Sequence, residues 1–315
     1  MKEKVSVIMS IYKESENELK SSIESILNQT YSNLELIIVV DNPDEKWRID
    51  FLKSYKDDRM KIIINEKNIG LPKSLNKALK NATGEYIARM DADDIALPIR
   101  FEKQYEFLKE TGYDMCGSNV TCFIDNVDFK DIIFPRKAEN VKKLLFIKNC
   151  VSHPTYFVRK NVYEKLNGYN NVFSCEDYDF LLRAVGNGIT IGNVQDILLK
   201  YRISPQSISR KNAGKQELIA KYLRKYYKNN PLGEVTETMI KEYLDSNKFK
   251  KNLRSYDFYW GMKNTRSKYK ENKGIKYYYY TVLLVFNFKH SLKEIYRKLY
   301  EMTLSQVFKV TNGEF

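Results

Sequence analysis

Three carboxylates stand within four residues in the segment Asp91-Ala92-Asp93-Asp94. They directly follow the apolar run from Tyr86 to Met90, which is typical of a buried strand. Carboxylates this close together repel one another, and a divalent cation would offset the repulsion. Oxygen ligands suit Mg²⁺ or Mn²⁺, which binds few protein carboxylates and completes its shell with phosphate oxygens and water. The segment predicts a metal site for a phosphate-bearing ligand or, more simply, a polar loop that caps the next helix.

A second acidic pair, Glu176-Asp177, begins a predicted helix. Acids in the first turn complement the helix dipole, which is a sufficient structural reason for them. Beside a metal–diphosphate site, however, a carboxylate would also serve as the base that takes the proton of an acceptor hydroxyl. We therefore expect one carboxylate of this pair to be catalytic. If it is Asp177, the neighbouring Glu176 and Asp179 would raise its pKa by adding negative charge.

Several single polar residues admit two interpretations. Asp41 ends a predicted strand, where it would cap the turn at Asn42-Pro43 or accept a hydrogen bond from a nucleotide base. His153, in His153-Pro154-Thr155, is expected to be either a buried histidine with a hydrogen-bond partner or a functional residue. Arg202 follows Tyr201 and could pair with any nearby acid.

The elements that position these residues alternate between strand and helix patterns. Predicted strands cover Val5 to Ile11, Leu34 to Val40, Met60 to Ile64 and Tyr86 to Met90. Ser15 and Glu18 fit a capping box at the start of the first helix, and Pro72 fits the first turn of a later one. Such alternation predicts an α/β fold with a mostly parallel central sheet flanked by helices. Ligands bind beyond the carboxyl ends of such strands, where Tyr12 and Glu14 also lie.

The charge of the chain is distributed unevenly. Residues 1–210 contain 31 basic and 30 acidic residues, whereas residues 211–315 contain 22 basic and 10 acidic residues and so carry +12 of the total net charge of +13. We predict a catalytic domain over 1–210 and a basic, Tyr-rich helical region over 211–315. Its lysines and its tyrosine run at 277–280 suit either the headgroup level of an anionic membrane or packing against the catalytic body. Nothing in the chain resembles a nucleic-acid recognition module.

Other features narrow the class of protein. The four cysteines form no CxxC pair and there are only two histidines, which disfavours a zinc site or a disulfide framework. No signal-like segment or spanning apolar run is present, so the expectation is a cytoplasmic protein, either free or associated with the inner face of the plasma membrane. No GxGxxG or GxxxxGK motif occurs, which disfavours dinucleotide oxidoreductases and P-loop NTPases.

Taken in order, the motifs resemble those of the family 2 inverting glycosyltransferases with a GT-A fold, which build bacterial surface polysaccharides. The resemblance covers about residues 4–210. The segments that carry it are Val5 to Glu14, Ser25 to Tyr31, Glu35 to Asp41, Asn68 to Asn76, Gly84 to Asp94, His153 to Thr155, Gly168-Tyr169, Glu176-Asp177, and Tyr201 to Ser204 with Ser207 to Ser209.

The resemblance implies transfer of a sugar, with inversion, from a nucleotide diphosphate sugar, expected to be UDP-linked, to a hydroxyl of a saccharide or lipid-linked saccharide. It implies a Mn²⁺ or Mg²⁺ cofactor on Asp93 and Asp91, Asp177 as base, and His153 and Glu176 on the acceptor side. The implied nucleotide-sugar-binding residues are Ile11, Tyr12, Glu14, Asp41, Asn68, Gly70, Asp91, Asp93 and Arg202.

This sequence departs from the family pattern at two places. After Asp41 it has Asn42-Pro43-Asp44, where relatives often have a second aspartate, glycine and serine, and Ser204 stands near the place of a histidine. Two alternatives stay open. A sugar-phosphate nucleotidyltransferase would be expected to have a glycine-rich first loop, which residues 11–17 lack, and a non-catalytic scaffold would be expected to have lost one of the acids.

Overall fold

The computed structural model describes residues 2–204 and 212–268. Nine strands form within them: β1 (Val5–Ile11), β2 (Leu34–Val40), β3 (Met60–Ile64), β4 (Tyr86–Asp91), β5 (Ile95–Ala96), β6 (Met115–Ile124), β7 (Val127–Ile132), β8 (Phe157–Arg159) and β9 (Ile191–Arg202). The helices before residue 205 are α1 (Glu16–Leu27), α2 (Lys46–Ser54), α3 (Leu71–Lys80), α4 (Arg100–Thr111), α5 (Ala138–Leu145), α6 (Lys160–Lys165) and α7 (Glu176–Gly186), with a short 3-10 turn at His153–Thr155. Three more follow: α8 (Ala213–Asn229), α9 (Glu237–Asp245) and α10 (Asn247–Lys268).

The strands form one sheet in the order β3-β2-β1-β4-β8-β6-β9-β5, with β7 paired to β6. Strands β3, β2, β1 and β4 are parallel, so their carboxyl ends meet at one edge of the sheet. The predicted α/β fold is confirmed, but the parallel character is concentrated in this half. In the other half, β8 runs antiparallel to β4 and β6, and β5 and β7 are antiparallel to their partners.

Alternating side chains of the central strands build a core on each face of the sheet. Val7 and Met9 of β1 belong to the core that α1 and α4 cover, whereas Ile8 belongs to the core under α3 and α7. All three side chains are fully buried. The period of two along a strand places neighbouring residues on opposite faces, so an apolar run is what a doubly covered strand requires.

Local signals fix the loops that follow the strand ends. Ser15 and Glu18 form the predicted capping box at the start of α1. Gly70 precedes α3 with a φ of 88°, a left-handed conformation that glycine adopts without steric cost. The capping box and Gly70 thus fix where α1 and α3 begin, each directly after a loop at the carboxyl edge of the sheet.

The helices after residue 212 pack on the first part of the chain. Ile219, Leu223 and Tyr227 of α8 are buried in the same core as α3 and α7. The division of the chain at 210 stays a prediction, and that position lies outside the described residues, as do Ser207 to Ser209 and Tyr277 to Tyr280. Among the residues that the structure describes, no helix is both long and apolar enough to cross a membrane.

Candidate active site

The three acids after β4 converge at the carboxyl edge of the sheet. Ligand oxygens of Asp91, Asp93 and Asp94 lie within 4.8 Å of one another. Strand β9 closes one side of the cluster: the backbone N–H of Arg202 donates to Oδ1 of Asp94 at 2.7 Å, and Nε of Arg202 donates to the carbonyl of Asp93, also at 2.7 Å. Arg202 is therefore a structural partner of the cluster. Asp94, which is buried, is a third acid that the sequence did not single out as a ligand.

The electrostatics of the cluster favour a cation. Burial and the nearby charges of Asp91 and Glu14 raise the pKa of Asp93 to about 7. Burial, followed by the charge of Asp93, also raises the pKa of Asp94 well above its usual value. Within the described part of the chain, Oδ2 of Asp94 is buried with no hydrogen-bond partner. Carboxylate oxygens that lie close together and repel one another, with one of them left without a hydrogen-bond partner, fit a Mg²⁺ or Mn²⁺ ion.

Arg89 is a part of the site that sequence reasoning missed. Its guanidinium is buried and forms an ion pair with Asp91 through Nη2. The other two guanidinium nitrogens, Nε and Nη1, are buried without a hydrogen-bond partner among the described residues. The available signal was its position two residues before Asp91, because residues at i and i+2 of a strand lie on the same face.

The loop after β3 is attached to Asp41. The Asp41 carboxylate accepts hydrogen bonds from Nδ2 of Asn65 at 2.8 Å and from the backbone N–H groups of Ile69 and Gly70, both at 2.9 Å. Exposed Asn68 also accepts the N–H of Gly70, at 3.0 Å. Asp41 therefore holds this loop beside the end of β2, and its contact with a base stays a prediction.

The loop after β1 lies between Asp41 and the acidic cluster. Ile11 is buried, and its carbonyl accepts the N–H of Asp41 at 2.8 Å. The carboxylate of Glu14 folds back to accept the N–H groups of Tyr12 at 2.7 Å and Lys13 at 3.0 Å. Burial is the largest cause of the raised pKa of Glu14, and the charge of Asp91 adds to it. The fold thus brings the residues predicted at the ends of β1, β2 and β4 to one edge of the sheet.

Asp177 lies in the first turn of α7 and is half-buried. Nδ2 of Asn149 donates to its Oδ2 at 2.9 Å, and the hydroxyl of Tyr156 donates to its carbonyl at 3.2 Å. Burial raises the pKa of Asp177, while Arg89 is among the groups that lower it. Asn149 gave no sequence signal, because an isolated asparagine in a loop has no distinguishing pattern.

The two acidic neighbours of Asp177, Glu176 and Asp179, differ in their partners. Glu176 is buried, and its pKa is raised to about 8 by burial and by the charge of Asp177. Asp179 is paired with Arg183 at 2.8 Å and accepts the hydroxyl of Tyr227 at 2.6 Å. Burial is the main cause of the raised pKa of Asp177, and Asp91 is the carboxylate that adds to it. The expectation that Glu176 and Asp179 raise this pKa is therefore not confirmed, and the charge of Asp179 is paired with Arg183 in the core below α7.

His153 is a buried histidine beside this turn. Its Nε2 lies 3.0 Å from the hydroxyl of Tyr169, and its ring packs edge-on against Tyr156. Burial, together with the charge of Arg89, lowers the pKa of His153 well below its usual value, so the ring is neutral. The interpretation as a buried histidine with a partner describes this geometry, and contact with an acceptor stays a prediction.

A parallel half-sheet with an acidic cluster after β4 and a partly buried carboxylate at the start of α7 agrees with the GT-A fold that the resemblance implies. A sequence profile described as Glycosyl transferase family 2 matches residues 6–166. The chain belongs to this family, and the protein is a glycosyltransferase. The resemblance drawn from the sequence is confirmed.

Similar proteins agree with this assignment. The chain is 36% identical to the O-antigen biosynthesis glycosyltransferase WbnJ of Escherichia coli, over 72% of this chain and 91% of that protein. In fold it is similar to a chain of residues 1–349 of TarS from S. aureus, solved with UDP, at a TM-score of 0.57 and 18% identity, with 94% of this chain and 91% of that chain covered. It is also similar to the mannosyltransferase PcManGT of Pyrobaculum calidifontis, solved with GDP-Man and Mn²⁺, at a TM-score of 0.55 and 14% identity, with 100% and 89% covered.

Proposed function

We propose that the protein transfers a sugar from a UDP-linked donor to a hydroxyl of a saccharide or lipid-linked saccharide, with inversion at the anomeric carbon, in the synthesis of a surface polysaccharide. The observation that carries this proposal is the cluster of Asp91, Asp93 and Asp94 at the same sheet edge as Asp41 and Glu14. The role in O-antigen biosynthesis given by the name of WbnJ supports the product class, and the UDP bound to TarS supports the nucleotide.

Asp93 and Asp91 would hold Mn²⁺ or Mg²⁺. Such an ion, when bound, neutralises negative charge that develops on the leaving diphosphate. The Mn²⁺ in the related PcManGT fold supports a metal of this kind. Tyr12, Glu14, Asp41, Asn68 and Gly70 would line the nucleotide side, since they follow the ends of β1, β2 and β3. Arg202 would supply positive charge beside the diphosphate.

Asp177 would accept the proton of the attacking hydroxyl as that oxygen bonds to the anomeric carbon from the face opposite the leaving group. Its Asn149 hydrogen bond fixes the carboxylate orientation, and its raised pKa makes it a stronger base than an exposed aspartate. Buried Glu176, protonated near neutral pH, and His153 would form the wall on the acceptor side.

The basic region after residue 210 is proposed to bring the enzyme to an anionic membrane that holds a lipid-linked acceptor. Its charge supports this: 22 basic residues stand against 10 acidic ones over residues 211–315. On the described helix α10, Lys248, Lys250, Lys251 and Arg254 are exposed. Each basic residue near an anionic surface contributes about 1 kcal/mol, which salt screens.

A donor screen tests the central proposal. The full-length protein is incubated with UDP-, GDP- and dTDP-linked sugars and Mn²⁺, and release of the nucleoside diphosphate is measured with and without a panel of alkyl glycosides. We expect release from one UDP-sugar, which EDTA abolishes. Release from a GDP- or dTDP-sugar alone would contradict the UDP assignment, and failure to process any donor would contradict the proposed reaction.

A further inference from the structure

The turn that leads into α7 is attached to α8. Nε2 of Gln216 donates to the carbonyl of Ser174 at 2.9 Å, and the thiol of Cys175 donates to the carbonyl of Gln216 at 3.5 Å. Cys175 is the residue immediately before α7, and Asp177 is the second residue of that helix. Helix α8 therefore holds the backbone from which Asp177 projects.

The conformation of this turn depends on its surroundings. Ser174 has a φ of 50°, in the left-handed region that residues other than glycine, asparagine and aspartate seldom adopt. A residue in this region persists only where neighbouring groups fix it. The hydrogen bond from Gln216 acts directly on the Ser174 carbonyl, so it is one of the contacts that hold the turn.

A second connection lies one helical turn deeper. The hydroxyl of Tyr227 in α8 donates to Oδ1 of Asp179 at 2.6 Å, and Nε of Arg183 donates to Oδ2 at 2.8 Å. Arg183 in turn donates to the carbonyls of Leu166 at 2.7 Å and Gly168 at 2.9 Å. The side chains of Tyr227, Asp179 and Arg183 are buried. The network joins α8, α7 and the segment before the turn into one unit.

We propose that Gln216 and Tyr227 are positioning residues that hold Asp177 in place from outside the catalytic half of the sheet. This inference rests on the proposed role of Asp177 as base. Both residues lie beyond residue 166, where the family match ends. Displacement of a catalytic group by about 1 Å can lower the rate about 100-fold, so contacts that fix the turn act on kcat without touching the substrate.

Matched variants separate positioning from general stability. Gln216→Met and Tyr227→Phe remove one donor each at nearly constant volume. Gln195→Met is the control for the first, because Nε2 of Gln195 donates to the carbonyl of Phe134 at 3.1 Å, away from α7. Tyr31→Phe is the control for the second, because Tyr31 is also buried and its hydroxyl donates to the carbonyl of Glu3, away from α7 and α8.

The full-length variants are compared by kcat and donor KM in nucleotide release, by Tm, and by amide hydrogen exchange over 170–180. We expect kcat to fall about 10- to 100-fold in Gln216→Met and Tyr227→Phe, with donor KM within twofold and faster exchange in the turn. The controls keep kcat. Adding Ser174→Gly to Gln216→Met should restore kcat to within about threefold of the wild-type value, because glycine adopts the conformation of the turn without the hydrogen bond from Gln216.

Two outcomes would overturn the proposal. One is a kcat within twofold of the controls; the other is a kcat loss with unchanged exchange over 170–180 or without rescue by Ser174→Gly. If the wild-type protein processes no donor, the proposed function fails, and the exchange measurements alone decide whether Gln216 and Tyr227 hold the turn.

Discussion

Arg89 and Asp91 form an ion pair at the end of β4 in which the guanidinium is buried, with a side-chain exposure of 3%, and the carboxylate is 31% exposed. The guanidinium occupies one side of the Asp91 carboxylate, so a cation there competes with Arg89. Asp93 does not share this partner, and its pKa is raised to about 7 by burial and negative neighbours. We therefore expect Asp93 to be the dominant protein ligand of the metal.

The first prediction concerns the metal. Asp93→Asn should weaken Mn²⁺-dependent UDP binding by at least about 10- to 100-fold, the loss typical even of outer-shell changes at metal sites. Calorimetry with UDP in the presence of Mn²⁺ and then of EDTA measures this. Asp58→Asn, which changes an exposed aspartate, is the control. Equal UDP affinity of the wild-type protein with Mn²⁺ and with EDTA would show that donor binding does not depend on a metal.

The second prediction separates the two acids at the start of α7. Asp177→Asn should lower kcat about 10²- to 10⁴-fold, because it removes the general base, while donor affinity is retained. Glu176→Gln should keep most of the activity at pH 7, because a glutamic acid with a pKa of about 8 is already mostly neutral there. Steady-state transfer at pH 7 measures both. A large loss of kcat in Glu176→Gln, together with retained activity in Asp177→Asn, would show that Glu176 and not Asp177 is the base.

The third prediction is a pH dependence of stability. The folded state raises the pKa of Glu176 from the ordinary 4.5 to about 8. Its contribution to the free energy of unfolding is therefore present in full below about pH 4.5 and is lost as pH rises to about 8. Glu176→Gln should flatten the decrease in Tm across this range. Identical Tm–pH curves for the two proteins would show that Glu176 does not titrate as expected.

The fourth prediction concerns Arg89. Arg89→Met leaves Asp91 without its partner, and breaking a fully buried pair costs about 3–5 kcal/mol; the partial exposure of Asp91 should reduce this. Because Arg89 lowers the pKa of Asp177, the acid limb of the kcat profile should also move to higher pH. Urea unfolding and a pH–rate profile measure the two effects. Arg89→Lys retains the charge and should show a smaller shift of the acid limb.

The fifth prediction tests membrane contact without truncating the chain, since α8 belongs to the core. Changing Lys248, Lys250 and Lys251 to Glu should reduce flotation with anionic vesicles at low salt, while nucleotide release without acceptor is unchanged. The control variant changes Lys53, Lys56 and Lys61 to Glu, because these lysines are exposed on the α/β body of the protein. Equal loss of flotation in both variants, or wild-type binding independent of lipid charge, would contradict a role of the basic region.

The sequence by itself determined the four parallel strands β1 to β4, the cap of α1 and the edge of the sheet that carries the site. The reason is that these signals are local: the buried strands are continuous apolar runs, Ser15 and Glu18 lie one helical turn apart, and Asp91 directly follows its strand. The family motifs are contiguous in the chain for the same reason. Such features depend on residues a few positions apart, which a sequence displays directly.

Only the tertiary structure decided which distant residues became partners. Arg202 meets Asp94 across 108 positions, Asn149 meets Asp177 across 28, and Tyr227 meets Asp179 across 48. None of these pairs has a characteristic spacing, because each arises from the order of strands in the sheet and the packing of helices on it. The pKa values followed as well, since burial is their largest cause and a carboxylate has no burial until the chain has folded.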